Sequence, residues 1–127
     1  MHTGLMQMSC NFGLAAALLW SLSVDATANE GEALFKKQCG ACHTLSADEP
    51  RRQGPALNGI IGRTAGKVEG FPYSKGLKQA DWAWDEARLD TWMVDPKSVL
   101  ADTYMISKQN DADVRRRIIS FLKTIQE

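Results

Sequence analysis

Cys39-Gly40-Ala41-Cys42-His43 places two thiols three positions apart and an imidazole directly after the second. This C-x-x-C-H spacing is the attachment signature of a c-type haem. Two thiols on the last turn of a helix can each add across a vinyl group of the macrocycle. The imidazole that follows then lies on the same face and can bind the iron. Five residues thereby supply two thioether links, from Cys39 and Cys42, and one proximal axial ligand, His43.

Other uses of the pattern fit less well. A thioredoxin-like C-x-x-C needs a βαβ setting and a low-pKa thiol at the start of a helix. Here the pair ends a helical pattern and no strand precedes it. A structural zinc site needs four ligands. Beyond residue 28 the chain has only two cysteines, Cys39 and Cys42, and one histidine, His43.

The N-terminus points the same way. An apolar run from Phe12 to Val24 is 13 residues long, short of the ~20 needed to span a bilayer. Ala26-Thr27-Ala28 follows as a small-x-small cleavage pattern, so 1–28 reads as a cleaved signal peptide and 29–127 as the mature domain, starting at Asn29. Residues 1–11 hold no Lys or Arg, only His2, which is unusual for a signal start. The competing reading is an uncleaved N-terminal anchor. Cys10 precedes the apolar run and is expected to leave with the signal. Export to the periplasm agrees with covalent haem attachment, which takes place outside the cytoplasm.

Length and charge narrow the class. The mature chain is 99 residues, one small domain. Such a chain has a thin core, and a large apolar cofactor supplies much of what its side chains pack against. Removing 1–28 deletes one acid, Asp25, and leaves 15 basic against 14 acidic residues. There is neither a basic excess nor basic–aromatic interleaving, so nucleic acid is not an expected partner. No internal repeat or low-complexity stretch is present.

The rest of the sequence reads as helices joined by glycine-rich loops. A first helix is expected over residues 30–40, with Asn29 as N-cap and Glu32 completing a capping box. Ala33, Leu34 and Phe35 carry its apolar content. A last helix is expected over 111–126, capped by Asp111 or Asp113. Val114, Ile118, Phe121, Leu122 and Ile125 share one helical face, and Arg115, Arg116 and Arg117 read as solvated surface beside it. A short helix over 85–94 starts at Asp85 and stops at Asp95-Pro96, and Pro96 opens another through Ala101. Glycines 54, 59, 62, 66 and 70 punctuate the intervening loops. No period-2 alternation is long enough for a strand. The expected fold class is all-α, three to five helices wrapped around one covalent haem.

With these residues in view, the chain resembles the class I cytochromes c, in particular the mitochondrial-like group and its soluble bacterial relatives. The resemblance runs from Gly31 to about Leu122. Gly31 and Phe35 match the family's first helix, and Ile118, Phe121 and Leu122 its last. Gly54-Pro55-Ala56-Leu57-Asn58-Gly59, with Gly62-Arg63 and Gly66, matches the loop on the proximal side of the haem. Gly70-Phe71-Pro72-Tyr73-Ser74 matches the next loop, and Trp84, Leu89, Pro96, Thr103 and Met105 follow at the family's intervals.

The resemblance implies a set of roles. Met105, 62 residues beyond His43, stands at the family's second axial position, and a thioether there favours the ferrous state. Met93, the other methionine of the mature chain, reads as core packing. The carbonyl of Pro55 receives the second ring N–H of His43. Arg63, Tyr73, Trp84 and Thr103 reach the haem propionates, which need partners in a low-dielectric site. Trp82 and Trp92 read as packing residues, with Trp92 near Met105. Three positions depart from the family pattern. Tyr104 stands where a lysine is common, Ser107 where an aromatic is common, and the stretch from Met105 to Ile118 is one residue shorter. A more open haem edge is expected there, with Lys36, Lys37, Lys67 and Lys97 as a basic rim.

With both axial positions filled by protein, the expected function is a soluble one-electron shuttle. It is not an enzyme, it has no small-molecule substrate, and it is expected to be a monomer. Its partners are redox proteins: a membrane reductase or dehydrogenase as donor, an oxidase or reductase as acceptor. Two alternatives stand beside it. One is a haem domain with a labile distal ligand acting as peroxidase or ligand sensor, which would need a distal acid or base. The other is a membrane-tethered electron-donating subunit.

Overall fold

His43 closes a run of turns that begins where the first helix stops. The computed structural model describes Met1 and residues 23–126. Cys10 and nearly all of the apolar run 12–24 lie outside the described residues. Among the described residues the chain forms five helices: α1 (Ser23–Gln38), α2 (Lys75–Lys78), α3 (Glu86–Val94), α4 (Pro96–Val99) and α5 (Ala112–Leu122). None of them is long and apolar enough to cross a membrane.

The expected boundaries need correcting at both ends of α1. Asn29 is not an N-cap; it stands inside a helix that begins at Ser23. Ala26 and Ala28 are good helix formers, so the helix continues on the N-terminal side of Asn29. At the other end the helix stops at Gln38, and the cysteines lie just past it in turns rather than on its last turn. Phe35 O accepts from both Cys39 N and Gly40 N (2.7 and 3.0 Å), and Cys39 O accepts from Cys42 N and His43 N. These bonds satisfy carbonyls that the end of a helix leaves without partners, and they curl the motif back so that its three functional side chains share one region.

Helices α3 and α5 start where the sequence places their caps, and α4 opens at Pro96 as expected, with Asp95 as a cap the sequence reading gave only as a stop. Asp85 accepts from Arg88 N (2.7 Å) at the head of α3, Asp95 accepts from Lys97 N ahead of Pro96 in α4, and Asp111 accepts from Asp113 N and Val114 N at the head of α5. Helix α5 ends at Leu122, earlier than expected, and Ile125 packs on the core from the turn that follows. Helix α2 had no apolar period to reveal it; its start is held by the Ser74 hydroxyl, which accepts from Leu77 N.

Helices α1 and α5 cross at Gly31. A Cβ at that position would lie 2.5 Å from Arg117 O and 2.7 Å from the Phe121 Cβ, so only glycine permits this approach. Phe35 and Phe121 meet beside the crossing with ring centroids 5.9 Å apart. Ile118, Ile119 and Leu122 of α5 are buried next to them. Outside the crossing, Arg117 pairs with Glu30 and Asp113, and Arg116 with Asp113.

Arg115 is the exception to the expected solvated arginine face. It is 8 % exposed. Its Nε donates to Asp90 Oδ1 (2.7 Å), and its terminal nitrogen donates to Gln109 O and Asn110 O (3.0 Å each). The side chain therefore ties α5 to α3 and to the loop ahead of α5. A helical-wheel reading misses this because Arg115 lies at the edge of the apolar stripe, where a long side chain can bury its stem and still find acceptors.

No strand forms among the described residues, but two loops pair through an isolated antiparallel bridge between Thr64 and Ala83. Gly62 N donates to Trp84 O, Trp84 N to Arg63 O, and Ala65 N to Trp82 O. This pairing sets Arg63 beside Trp84. Gly66, at φ +69°, then turns the chain under α2, where a Cβ would collide with Leu77 O.

Gly31→Ala is expected to lower the stability of the folded protein by about 1–3 kcal/mol, the cost of overpacking a tight contact. Denaturant unfolding of the haem-loaded protein measures this. A midpoint equal to that of the parent would show that the helices can separate at no cost.

Candidate haem site

The loop after the motif sets the imidazole. Gly54 N donates to Cys42 O (2.7 Å) and Leu57 N to Thr44 O (2.9 Å), so the segment 54–57 is laced to 42–44. A Cβ at Gly54 would overlap the His43 ring, so a glycine is required for the backbone to lie this close to the imidazole. Pro55 O sits 2.8 Å from His43 Nδ1. A carbonyl can only accept, so Nδ1 carries the proton and Nε2 keeps its lone pair. Burial pushes the His43 pKa down, against the opposing pull of the Pro55 hydrogen bond, and the positive charge of Arg63 lowers it further. The ring is thus a neutral nitrogen donor at physiological pH.

Cys39 and Cys42 are not bonded to each other, and both are half-buried. Burial pushes the Cys39 thiol up to about 11, with repulsion from Cys42 adding to it. This is the reverse of a redox-active C-x-x-C, whose first cysteine is held as a thiolate.

Cys39, Cys42 and His43 open into a cleft of about 430 Å³. Every site residue expected from the sequence borders it: Pro55, Arg63, Tyr73, Trp84, Thr103 and Met105 all lie on its wall. Leu57, Ile60, Phe71, Leu89, Ile118 and Leu122 supply much of the apolar lining. The residues therefore fit a haem. They offer two thiols in the attachment spacing, an imidazole nitrogen, a thioether sulfur, and an apolar space between α1, α3, α5 and the loops.

The wall residues are braced in ways the sequence did not show. Arg63 donates to Ala56 O (2.9 Å) and Asn58 O (3.0 Å), fixing the same proximal loop that carries Pro55. The Tyr73 hydroxyl accepts from Val68 N (3.3 Å), and its ring packs edge-on against Phe71. Thr103, 2 % exposed, accepts from Met105 N through Oγ1 (3.3 Å), while its carbonyl accepts from Lys97 Nζ (3.1 Å). The sulfur of Met105 accepts from Trp92 Nε1 at 3.0 Å. Met93 packs partly buried against the core and also lines the cleft.

The departures from the family pattern cluster at one side of the cleft. Tyr104 and Ile106, flanking Met105, are 73 % and 77 % exposed, and Ser107 is exposed as well. Of the lysines expected as a rim, Lys97 and Lys67 each donate to a backbone carbonyl and Lys36 pairs with Glu32, while Lys37 is exposed.

Comparison with known proteins agrees with this geometry. The family model for cytochrome c matches residues 28–126. Cytochrome c2 of Rhodomicrobium vannielii is 38% identical over 115 residues, covering 87% of this chain and 90% of that protein. Cytochrome c of Ulva intestinalis is 35% identical over 99 residues (74% and 86%). Cytochrome c of Arabidopsis thaliana is 35% identical over 106 residues (80% and 92%). The chain belongs to the cytochrome c family, as an electron-transfer protein with one covalently attached haem c.

Proposed function

We propose that this protein is a one-electron shuttle of the periplasm whose haem iron is held between His43 and Met105. The observation that carries this reading is that a nitrogen donor and a sulfur donor, 62 residues apart in the chain, border the same cleft as the two cysteines. When bound, the haem supplies an iron that alternates between ferrous and ferric states. The chain does the rest.

Cys39 and Cys42 hold the macrocycle by two thioether bonds. Pro55 O fixes the tautomer and the plane of His43, so that Nε2 is the coordinating atom. Met105 supplies the softer donor and raises the potential relative to a second histidine. Arg63, Tyr73, Trp84 and Thr103 are the residues assigned to the propionates. Arg63 brings positive charge and Tyr73 a hydroxyl whose pKa burial raises. His43 and Met105 together would hold the iron and would leave it no position for a substrate, which would suit a carrier rather than an enzyme.

Electrons pass at the exposed edge during brief docking to redox proteins, a membrane reductase or dehydrogenase on one side and an oxidase or reductase on the other. Small, weak interfaces suit such encounters. The protein works as a monomer. Residues 1–28 act as a cleaved export signal, and the mature protein begins at Asn29.

Three results are expected. Replacing both Cys39 and Cys42 by alanine leaves a chain without haem on a denaturing gel and without cooperative unfolding, because a 99-residue core built around the cofactor cannot close without it; haem retained through denaturation would contradict this. Met105→Ala lowers the midpoint potential and lets cyanide bind the oxidised protein; an unchanged potential would move the ligand role elsewhere. Intact mass of the exported protein matches residues 29–127 plus one haem; a mass that includes 1–28 would point to a retained anchor.

A further inference from the structure

The loop that carries Thr103 and Met105 and the segment that carries Tyr73, Ser74 and α2 both line the cleft, and they meet at Asp102. Asp102 Oδ2 accepts from Gly76 N at 2.8 Å, and the Ser74 hydroxyl donates to Oδ1 at 3.5 Å. Among the described residues, the hydrogen bonds that cross from 67–80 to 100–110 both end on this carboxylate. A carboxylate can only accept, and its bonds to N–H groups are stronger than those of a neutral oxygen.

Gly76 shows how closely the two segments fit. A Cβ there would lie 2.5 Å from Asp102 Oδ1 and 3.3 Å from Leu100 Cδ2. Gly76 is helical and its φ is not positive, so the backbone does not call for glycine at this position; the carboxylate against it does. Helix α2 has few other attachments. It is four residues long, none of its side chains is fully buried, and no other helix packs on it among the described residues. The distal loop likewise lacks packing around Met105, because Tyr104 and Ile106 are exposed. Thr103, next to Asp102, is buried and accepts from Met105 N through Oγ1 (3.3 Å), so the position of Asp102 is passed to Met105 through one residue.

We propose that Asp102 is a positioning residue that acts on Met105 through the loop: its carboxylate latches the ligand loop to Gly76 and so sets how often the sulfur leaves the iron. The inference rests on the reading of Met105 as a ligand. An outside ligand can take the place of the sulfur only when the loop moves away from the cleft. That movement breaks the Asp102–Gly76 bond, so the net strength of the bond enters the opening equilibrium directly. The apparent affinity for the outside ligand scales with the open fraction.

The test measures the affinity of the oxidised, haem-loaded protein for imidazole. Asp102→Ala is expected to raise it about two- to tenfold, the factor that one net hydrogen bond represents. Gly76→Ala, which displaces the carboxylate from the opposite side, should raise it over the same range. The double variant should bind no more tightly than the tighter of the two single ones, because both changes remove one and the same bond. Asp102→Asn, which keeps an acceptor for Gly76 N, should lie closer to the parent than Asp102→Ala does. An affinity in Asp102→Ala equal to the parent's, single effects that add in full, or an asparagine variant that behaves as the alanine one each overturn the proposal. If Asp102→Ala does not accumulate with haem, Gly76→Ala is read by the same measurement, and an affinity equal to the parent's overturns the proposal in the same way. Met105→Ala separates this idea from the one beneath it. If that variant binds imidazole more tightly and Asp102→Ala does not, only the latch fails. If neither does, the ligand assignment fails as well.

Discussion

An apolar cleft of about 430 Å³ runs through the middle of a chain whose working domain is about a hundred residues. Its walls come from α1, α2, α3, α5 and the loops between them. Left as water-filled space it would forgo about 25 cal/mol for each Å² of apolar wall that remains wetted, a heavy loss for a domain of this size. The fold is therefore a shell for a cofactor and not a self-sufficient helix bundle. Among the described residues this explains why most helices are short, why α1 and α5 cross closely, and why the intervening loops are laced to each other by backbone bonds.

The two sides of the cleft are held by different means. On the proximal side the control is local and covalent. His43 follows Cys42 directly, and the backbone of Gly54 and the carbonyl of Pro55 leave its ring one orientation. On the distal side Met105 sits on a loop clamped at both ends. Before it, Lys97 holds Thr103 O, and Asp102 accepts from Gly76 N (2.8 Å), tying the loop to α2. After it, Lys108 pairs with Asp95, Gln109 N donates to Met93 O, Gln109 also bonds Gln38 at the end of α1, and Arg115 binds the carbonyls of residues 109 and 110. Between the clamps Tyr104 and Ile106 are exposed, while Met105 N donates to Thr103 Oγ1 and Met105 Sδ accepts from Trp92 Nε1.

What could be read in the sequence was whatever depends on spacing along the chain. The C-x-x-C-H motif, the caps at Asp85 and Asp111 and the apolar stripe of α5 are all short-range patterns with one structural meaning. The family resemblance added the long-range positions, Pro55 through Met105, and the structure gathers all of them on one cleft. What could not be read depends on where long side chains end. Arg115 looks like a surface residue until Asp90 and two carbonyls are brought to it. Trp92 looks like packing until the sulfur of a residue 13 positions away arrives at its N–H. The pairing of 62–65 with 82–84 has no alternation to announce it, because it is a single bridge and not a strand. In the full chain α1 starts at Ser23, ahead of the cap expected at Asn29, because alanines on either side of Asn29 favour helix.

Iron-edge X-ray absorption of the oxidised, haem-loaded protein bears most directly on the account, because it reads the iron's own neighbours. The prediction is a six-coordinate, low-spin centre with five nitrogen scatterers and one sulfur. A first shell with no sulfur, or a five-coordinate high-spin iron at neutral pH, would contradict it.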